Sequence, residues 1–232
     1  MLLLAPATAE HLVRLRNFCD FPIHAGISGN PMPATGGVAL PPNATVDLSV
    51  ADGWSGRVWG RTGCVAGVAA GSLVCDTGDC WGREDCAGAG GATPASLAEI
   101  TFDADGGNDF YDVSLVDGYN LPIAMWPRRD TFAPGTGYQC GRAGCVSDLN
   151  TACPPELAKY GPDGKTVIGC RSACDRFGTD EFCCRGAHNS PATCGPSAFS
   201  EMFKRACPNS YSYAYDDPTS TFVCRYVRCS SF

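Results

Sequence analysis

The chain has 232 residues, enough to bury one sizeable core, with 17 basic against 24 acidic side chains and a formal net charge of -7. That balance argues against binding a phosphate backbone, which draws on clustered Lys and Arg, and favours neutral or cationic partners. Sixteen cysteines beside 28 Gly and 17 Pro make an even count at the density of an oxidised, secreted scaffold, so a cytosolic protein is not expected.

Residues 1 to 9 carry an apolar stretch, Leu2 to Ala9, with two Ala-x-Ala patterns, Ala5-Pro6-Ala7 and Ala7-Thr8-Ala9. They resemble the end of a secretory signal peptide without its basic n-region, and are set aside from the fold as a remnant of one. No later apolar run approaches the roughly 18 residues of a membrane span. In HLVRLRNFC, Val13 and Leu15 alternate with Arg14 and Arg16, the period of a strand. The Pro-rich turn ALPPNAT holds the sequon Asn43-Ala44-Thr45, a surface glycosylation acceptor. TVDLSV and GRVWGRTGC continue the short-strand pattern between Gly/Pro turns.

The stretch CDTGDCWGREDC, Cys75 to Cys86, then packs three cysteines and five charged residues into twelve positions. A zinc site would gather Cys or His in CxxC-type pairs. Here the cysteines are spread along the chain and His11, His24 and His188 lie far apart, so no metal is expected. The CxxC of a redox pair is absent too: Cys75/Cys80, Cys80/Cys86, Cys140/Cys145 and Cys170/Cys174 are wider, and Cys183-Cys184 are adjacent. Disulfides are what remains, although sixteen cysteines allow roughly two million pairings and spacing does not choose among them. The charges of the stretch, Asp76, Asp79, Arg83, Glu84 and Asp85, read as a solvated rim.

Further on, LAEITFD sets Ala98, Ile100 and Phe102 on one face and Leu97, Glu99 and Thr101 on the other. NDFYDVSLVDGYN does the same with Tyr111, Val113 and Leu115 against Asp112 and Ser114. Glu99 and Asp112 thus face away from the apolar set, the side from which a surface cleft draws its groups. Asp117, five positions after Asp112, reverses the face and with Gly118 reads as a turn ending the strand. Many short strands between turn signals predict a β-sandwich or barrel. From Cys140 to Cys207 the cysteines crowd together and two helices are predicted. One runs Ser172 to Phe177 with Gly178 as its cap; the other lies in SAFSEMFKRAC, with Phe199, Met202, Phe203 and Ala206 at helical spacing after Pro196 and Ser197.

GSLVCDTGDCWGREDC resembles the thaumatin-like signature, a Gly-led run into C-x-T-G-D-C followed by a Gly and another Cys, with Leu73 where Gly or Phe is usual. GRVWGRTGC, FYDVSLVDGYNLP, CPPELA, CRSACDRFGTDEFCC and YSYAYDDPTSTFVC also resemble family segments, in family order. Over residues 11 to 229 the chain resembles a large plant-type member of the thaumatin, osmotin and group-five pathogenesis-related family.

The resemblance implies a mainly β fold: a flattened β-sandwich (10–61 with 96–146 and 208–232), a small disulfide-stapled module (62–95) and a disulfide-rich, partly helical lobe (147–207). It also implies a pairing: Cys19 with Cys229, Cys64 with Cys75, Cys80 with Cys86, Cys140 with Cys224, Cys145 with Cys207, Cys153 with Cys170, Cys174 with Cys183, and Cys184 with Cys194. Between sandwich and lobe the family carries an acidic cleft of one Arg, one Glu and three Asp, matched here by Arg57, Glu99, Asp112, Asp117 and Asp217.

By the same resemblance Glu99 is the general acid and Asp117 the carboxylate that stabilises the cation or activates water. Arg57, Asp112 and Asp217 grip hydroxyls and tune charge. The implied partner is β-1,3-glucan or another fungal wall polysaccharide, met as a monomer in the apoplast, with no cofactor, nucleic acid or membrane span. The chain ends three residues after Cys229, without the extension that sends some relatives to the vacuole, so secretion is the expectation. Slow endo-β-1,3-glucanase action competes with antifungal binding or membrane disturbance without turnover, and with glycanase inhibition. Phe110, Tyr111, Tyr119, Tyr213 and Tyr215 are candidates to stack on sugar rings, although core packing accounts for most of them.

Overall fold

The computed structural model describes residues 10–128, 132 and 137–225. Residues 1 to 9 and Cys229, the expected partner of Cys19, lie outside the described residues. The strands are β1 (Glu10–Arg16), β2 (Ile23–Asn30), β3 (Gly37–Leu40), β4 (Thr45–Ala51), β5 (Ser55–Arg61), β6 (Val65–Ala66), β7 (Leu73–Val74), β8 (Leu97–Thr101), β9 (Asn108–Ser114), β10 (Ile123–Met125), β11 (Ala143–Cys145), β12 (Ala158–Tyr160), β13 (Val167–Cys170) and β14 (Phe222–Arg225).

Six of them form one antiparallel sheet in the order β14-β9-β8-β5-β2-β3. Its apolar face is covered by two separate antiparallel ladders, β1-β4 and β10-β11. The alternation read from the sequence decides which side chains meet there. Ala25, Ile27 and Val58 of the sheet pack with Leu48 and Val50 of β4, and the partly buried Val13 and Leu15 of β1 close over them. Tyr111, Val113, Phe222 and Cys224 pack with Ala143, Ile123 and Met125. The mainly β sandwich is therefore built as expected, one large sheet against two small ones.

The opposite face of the sheet is divided. At one end sits the segment stapled by Cys64–Cys75 and Cys80–Cys86, where Cys80, Cys86 and Ala95 bury Trp59 and Leu97. Gly26, level with Trp59 on the neighbouring strand, leaves room for that indole; a Cβ there would run into its ring. Arg61, on the same face of β5 as Trp59, is 1% exposed. Its guanidinium donates to the carbonyls of His24, Ala25, Arg83 and Glu84 at 2.7–3.3 Å and to Cys80 Sγ at 3.1 Å.

The expected solvated rim holds in part: Arg83, Glu84 and Asp85 are exposed, but Asp79 is half-buried and two of the acids also bind the backbone. Asp79 accepts from the Cys75 and Gly82 N–H groups at 3.0 and 2.8 Å, and Asp85 from those of Gly36 and Ala87 at 3.0 and 2.8 Å. These two carboxylates hold turns together, and the N–H donors keep Asp85 below the usual carboxylate range.

A third core joins Leu115 and Tyr119, just past β9, to Leu149, Leu157, Cys170 and Phe203. The last comes from helix α3, which follows α1 (Ala173–Phe177), α2 (Asp180–Cys183) and spans Ala198–Ala206. Both predicted helices have the caps their sequences offer. Ser172 accepts from Asp175 N and Gly178 closes α1 at φ 67°, while Ser197 and Ser200 form a reciprocal capping box for α3. The short α2 was not foreseen. Cys140–Cys224, Cys145–Cys207, Cys153–Cys170, Cys174–Cys183 and Cys184–Cys194 are all bonded. With the two bridges of the stapled segment, seven of the eight implied pairs are present among the described residues. No helix among them is long and apolar enough to cross a membrane.

Candidate functional site

On the uncovered half of the same sheet face lies a cleft of about 690 Å³. Arg57, Glu99, Asp112, Asp117 and Asp217 all line it. Three of them form a row: Arg57 on β5 pairs in register with Glu99 on β8, and Glu99 with Asp112 on β9. Directly opposed residues hold their Cβ atoms about 4.5–5.5 Å apart, so one guanidinium and two carboxyls stand side by side on adjacent strands. The row continues on β2 through Ser28, the register partner of Arg57.

Asp117 reaches the cleft from the turn after β9, as its reversed parity predicts. Gly118 N donates to Leu115 O at 2.9 Å, and the Asp117 carbonyl accepts from Ala95 N at 3.1 Å. Gly118 has φ 90°, and a Cβ on it would lie 2.7 Å from both Cys170 O and Pro94 Cβ. Only glycine fits this corner. Asp217 starts the short 3₁₀ turn Asp217–Thr219 and accepts a 3.0 Å hydrogen bond from the Tyr211 hydroxyl.

Burial and crowding set the acids apart. Asp112 is pushed up to about 8, by burial first and then by Glu99 and Asp217. Its Oδ1 is buried and has no hydrogen-bond partner among the described residues. Burial also raises Glu99, with the Arg57 charge working against the rise and Asp117 adding to it. Asp117 is raised in the same way, by burial, with Arg57 opposing and Asp175 reinforcing. The cleft thus keeps the Asp112 carboxyl protonated near neutral pH, and a carboxyl that holds its proton there is one component that general-acid chemistry needs.

Of the candidate aromatic residues, Tyr111 and Tyr119 are core, their hydroxyls donating to the carbonyls of Gly141 and Ser147. Phe110 lines the cleft, and Tyr213 lines a neighbouring cavity. Tyr211, which sequence reasoning passed over, lines the cleft as well, and its backbone bridges in parallel to Ser114 at the end of β9. The alternation Tyr211, Tyr213, Tyr215 in YSYAY was the signal for it. Asn43 stands exposed at φ 63° in the turn between β3 and β4, remote in sequence from the acid row.

Residues 17–231 match the family model described as Thaumatin family. Pathogenesis-related protein 5 of Arabidopsis thaliana is 51% identical over 90% of this chain and 84% of its own. A glucan endo-1,3-beta-glucosidase of Prunus avium is 44% identical over 91% of this chain and 85% of its own. Among solved structures, the thaumatin-like xylanase inhibitor TLXI shares 32% identity over 48% of this chain and 75% of its own, at a TM-score of 0.40. The family match over nearly the whole chain, with the Arabidopsis identity, establishes that the chain belongs to the thaumatin family.

Proposed function

We propose that this is a secreted, defence-type protein that binds β-1,3-glucan of fungal walls in the acidic cleft and hydrolyses it slowly at internal linkages. The observation that carries the reading is the row Arg57, Glu99, Asp112 across three strands, with Asp117 and Asp217 completing one cleft. The Prunus avium relative, named for glucan endo-1,3-beta-glucosidase activity, supports the substrate class. Seven disulfides among the described residues support an oxidising compartment.

In this reading Glu99 gives its proton to the glycosidic oxygen as the C–O bond breaks, and the bonding pair leaves with that oxygen. Asp112, protonated beside it, offers a hydroxyl donor to the substrate without adding a second negative charge to the row. The Asp117 carboxylate meets the positive charge developing at the sugar carbon, either directly or by taking a proton from attacking water. Arg57 and Asp217 offer a donor and an acceptor for ring hydroxyls.

The test is reducing sugar released from linear β-1,3-glucan by wild type and by Glu99→Gln, alongside co-sedimentation with insoluble glucan. Slow release by wild type, lost in the variant with sedimentation retained, is the expected result. Sedimentation by both proteins without release by either would leave binding alone, and absence of sedimentation by both would overturn the reading.

A further inference from the structure

The disulfide-rich lobe holds a second cavity, of about 250 Å³, and Val116 and Ala214 line both it and the acidic cleft. The two spaces therefore share a wall made of one isopropyl and one methyl side chain. Cys174–Cys183 and Cys184–Cys194 contribute all four of their cysteines to the cavity wall, so its shape does not wait for a ligand to order a loop.

Its chemistry differs from that of the cleft. No Lys or Arg lines it, which disfavours an anion; its serines and Thr193 are already hydrogen-bonded, and the groups left to a ligand are those of Glu181, Tyr213 and His188. The Glu181 carboxylate and the Tyr213 hydroxyl make no hydrogen bond or ion pair among the described residues. His188 Nδ1 lies 2.9 Å from the Thr193 carbonyl, which can only accept, so the neutral ring carries its proton there and leaves Nε2 as an acceptor. Acceptors, one hydroxyl and an aromatic ring in a preformed space suit an uncharged polyhydroxylated ligand.

We propose that this cavity is a second sugar subsite, holding the units of the same glucan chain that run on from the acid row over Val116 and Ala214. The inference rests on the glucan reading given above. It makes the protein a reader of chain length: short oligosaccharides fill the cleft alone, and longer ones gain the contacts of Tyr213, His188 and Glu181.

The experiment is calorimetric titration of the full chain with linear β-1,3-linked tri- and octasaccharides, repeated on Tyr213→Ala and Glu181→Ala, two residues that line the second cavity and not the cleft. Wild type should bind the octasaccharide at least about tenfold more tightly than the trisaccharide, a gain of about 1.4 kcal/mol. Both variants should lose that gain while binding the trisaccharide as wild type does. Glu181 is exposed, so its variant keeps the test open should Tyr213→Ala disturb the lobe. Trisaccharide binding with no gain from length, or a gain that survives both variants, overturns the second subsite and leaves the glucan reading standing. Failure of every length to bind overturns both.

Discussion

One face of one sheet is treated in two ways, and the contrast separates structure from chemistry. Arg57, Trp59 and Arg61 alternate out of β5 on the same side. At the covered end Trp59 and Arg61 are 0% and 1% exposed, and the guanidinium of Arg61 has an acceptor in every direction that it points. At the open end Arg57, Glu99 and Asp112 line up along the cleft, and Asp112 Oδ1 is buried with no partner among the described residues. Buried polar groups in proteins are nearly always satisfied, so the satisfied arginine reads as a strut and the orphaned carboxyl as a group reserved for something that arrives later.

The contrast breaks most visibly if the strut is removed. Arg61→Met should lower stability by about 3–5 kcal/mol, since it strands several buried carbonyls at once. The denaturation midpoint in urea reads this out, and a loss below about 1 kcal/mol would mean that the disulfides alone hold the stapled segment. At the open end the roles invert: Asp117→Asn should leave the midpoint nearly unchanged yet cut glucan hydrolysis by at least about a hundredfold, measured as reducing sugar. Between the two lies Gly118→Ala, which must force a Cβ against Cys170 O and Pro94 at positive φ. A loss of about 2 kcal/mol is expected, with hydrolysis falling alongside because Asp117 shifts.

The smallest effect sharpens the comparison through pH. The carboxyl of Asp112 lies far above its ordinary 3.8, so between about 4 and about 8 the folded chain holds a proton that the unfolded chain has released. Stability conferred by that proton is present at low pH and declines as pH rises through this window. Asp112→Asn removes the decline. Its melting temperature should match wild type near pH 4 and exceed it above pH 8 by the equivalent of about 1 kcal/mol, partial access to solvent reducing the effect. A pH-independent difference would show that Asp112 is not the group titrating.

How much of this was readable in advance follows from which residues obey local rules. LAEITFD and NDFYDVS alternate with period two, so the faces of Glu99 and Asp112 were legible, and the helix caps at Ser172, Gly178 and Ser197 were spelled out in the sequence. The register that puts Glu99 opposite Asp112 was not, because pairing depends on the length and course of the connection between the strands. Arg57 and Arg61 look alike in GRVWGR; nothing local says that one is roofed over by a segment some twenty positions further on. The turn-holding bonds of Asp79 and Asp85 were hidden for the same reason, as their partners are backbone N–H groups that hydropathy does not register. Cysteine spacing left the pairing open, and only family likeness narrowed it.

Because the central acids face each other on one rung of a hydrogen-bonded ladder, the gap between them is fixed by the spacing of neighbouring strands. Loops around the cleft can lengthen, shorten or mutate without moving Glu99 relative to Asp112, whereas a slip of one residue in either strand would turn its carboxyl into the apolar interior. Diversification of such a protein therefore falls on the loops that rim the cleft, while the Glu99–Asp112 pair can be exchanged or lost but not gradually displaced.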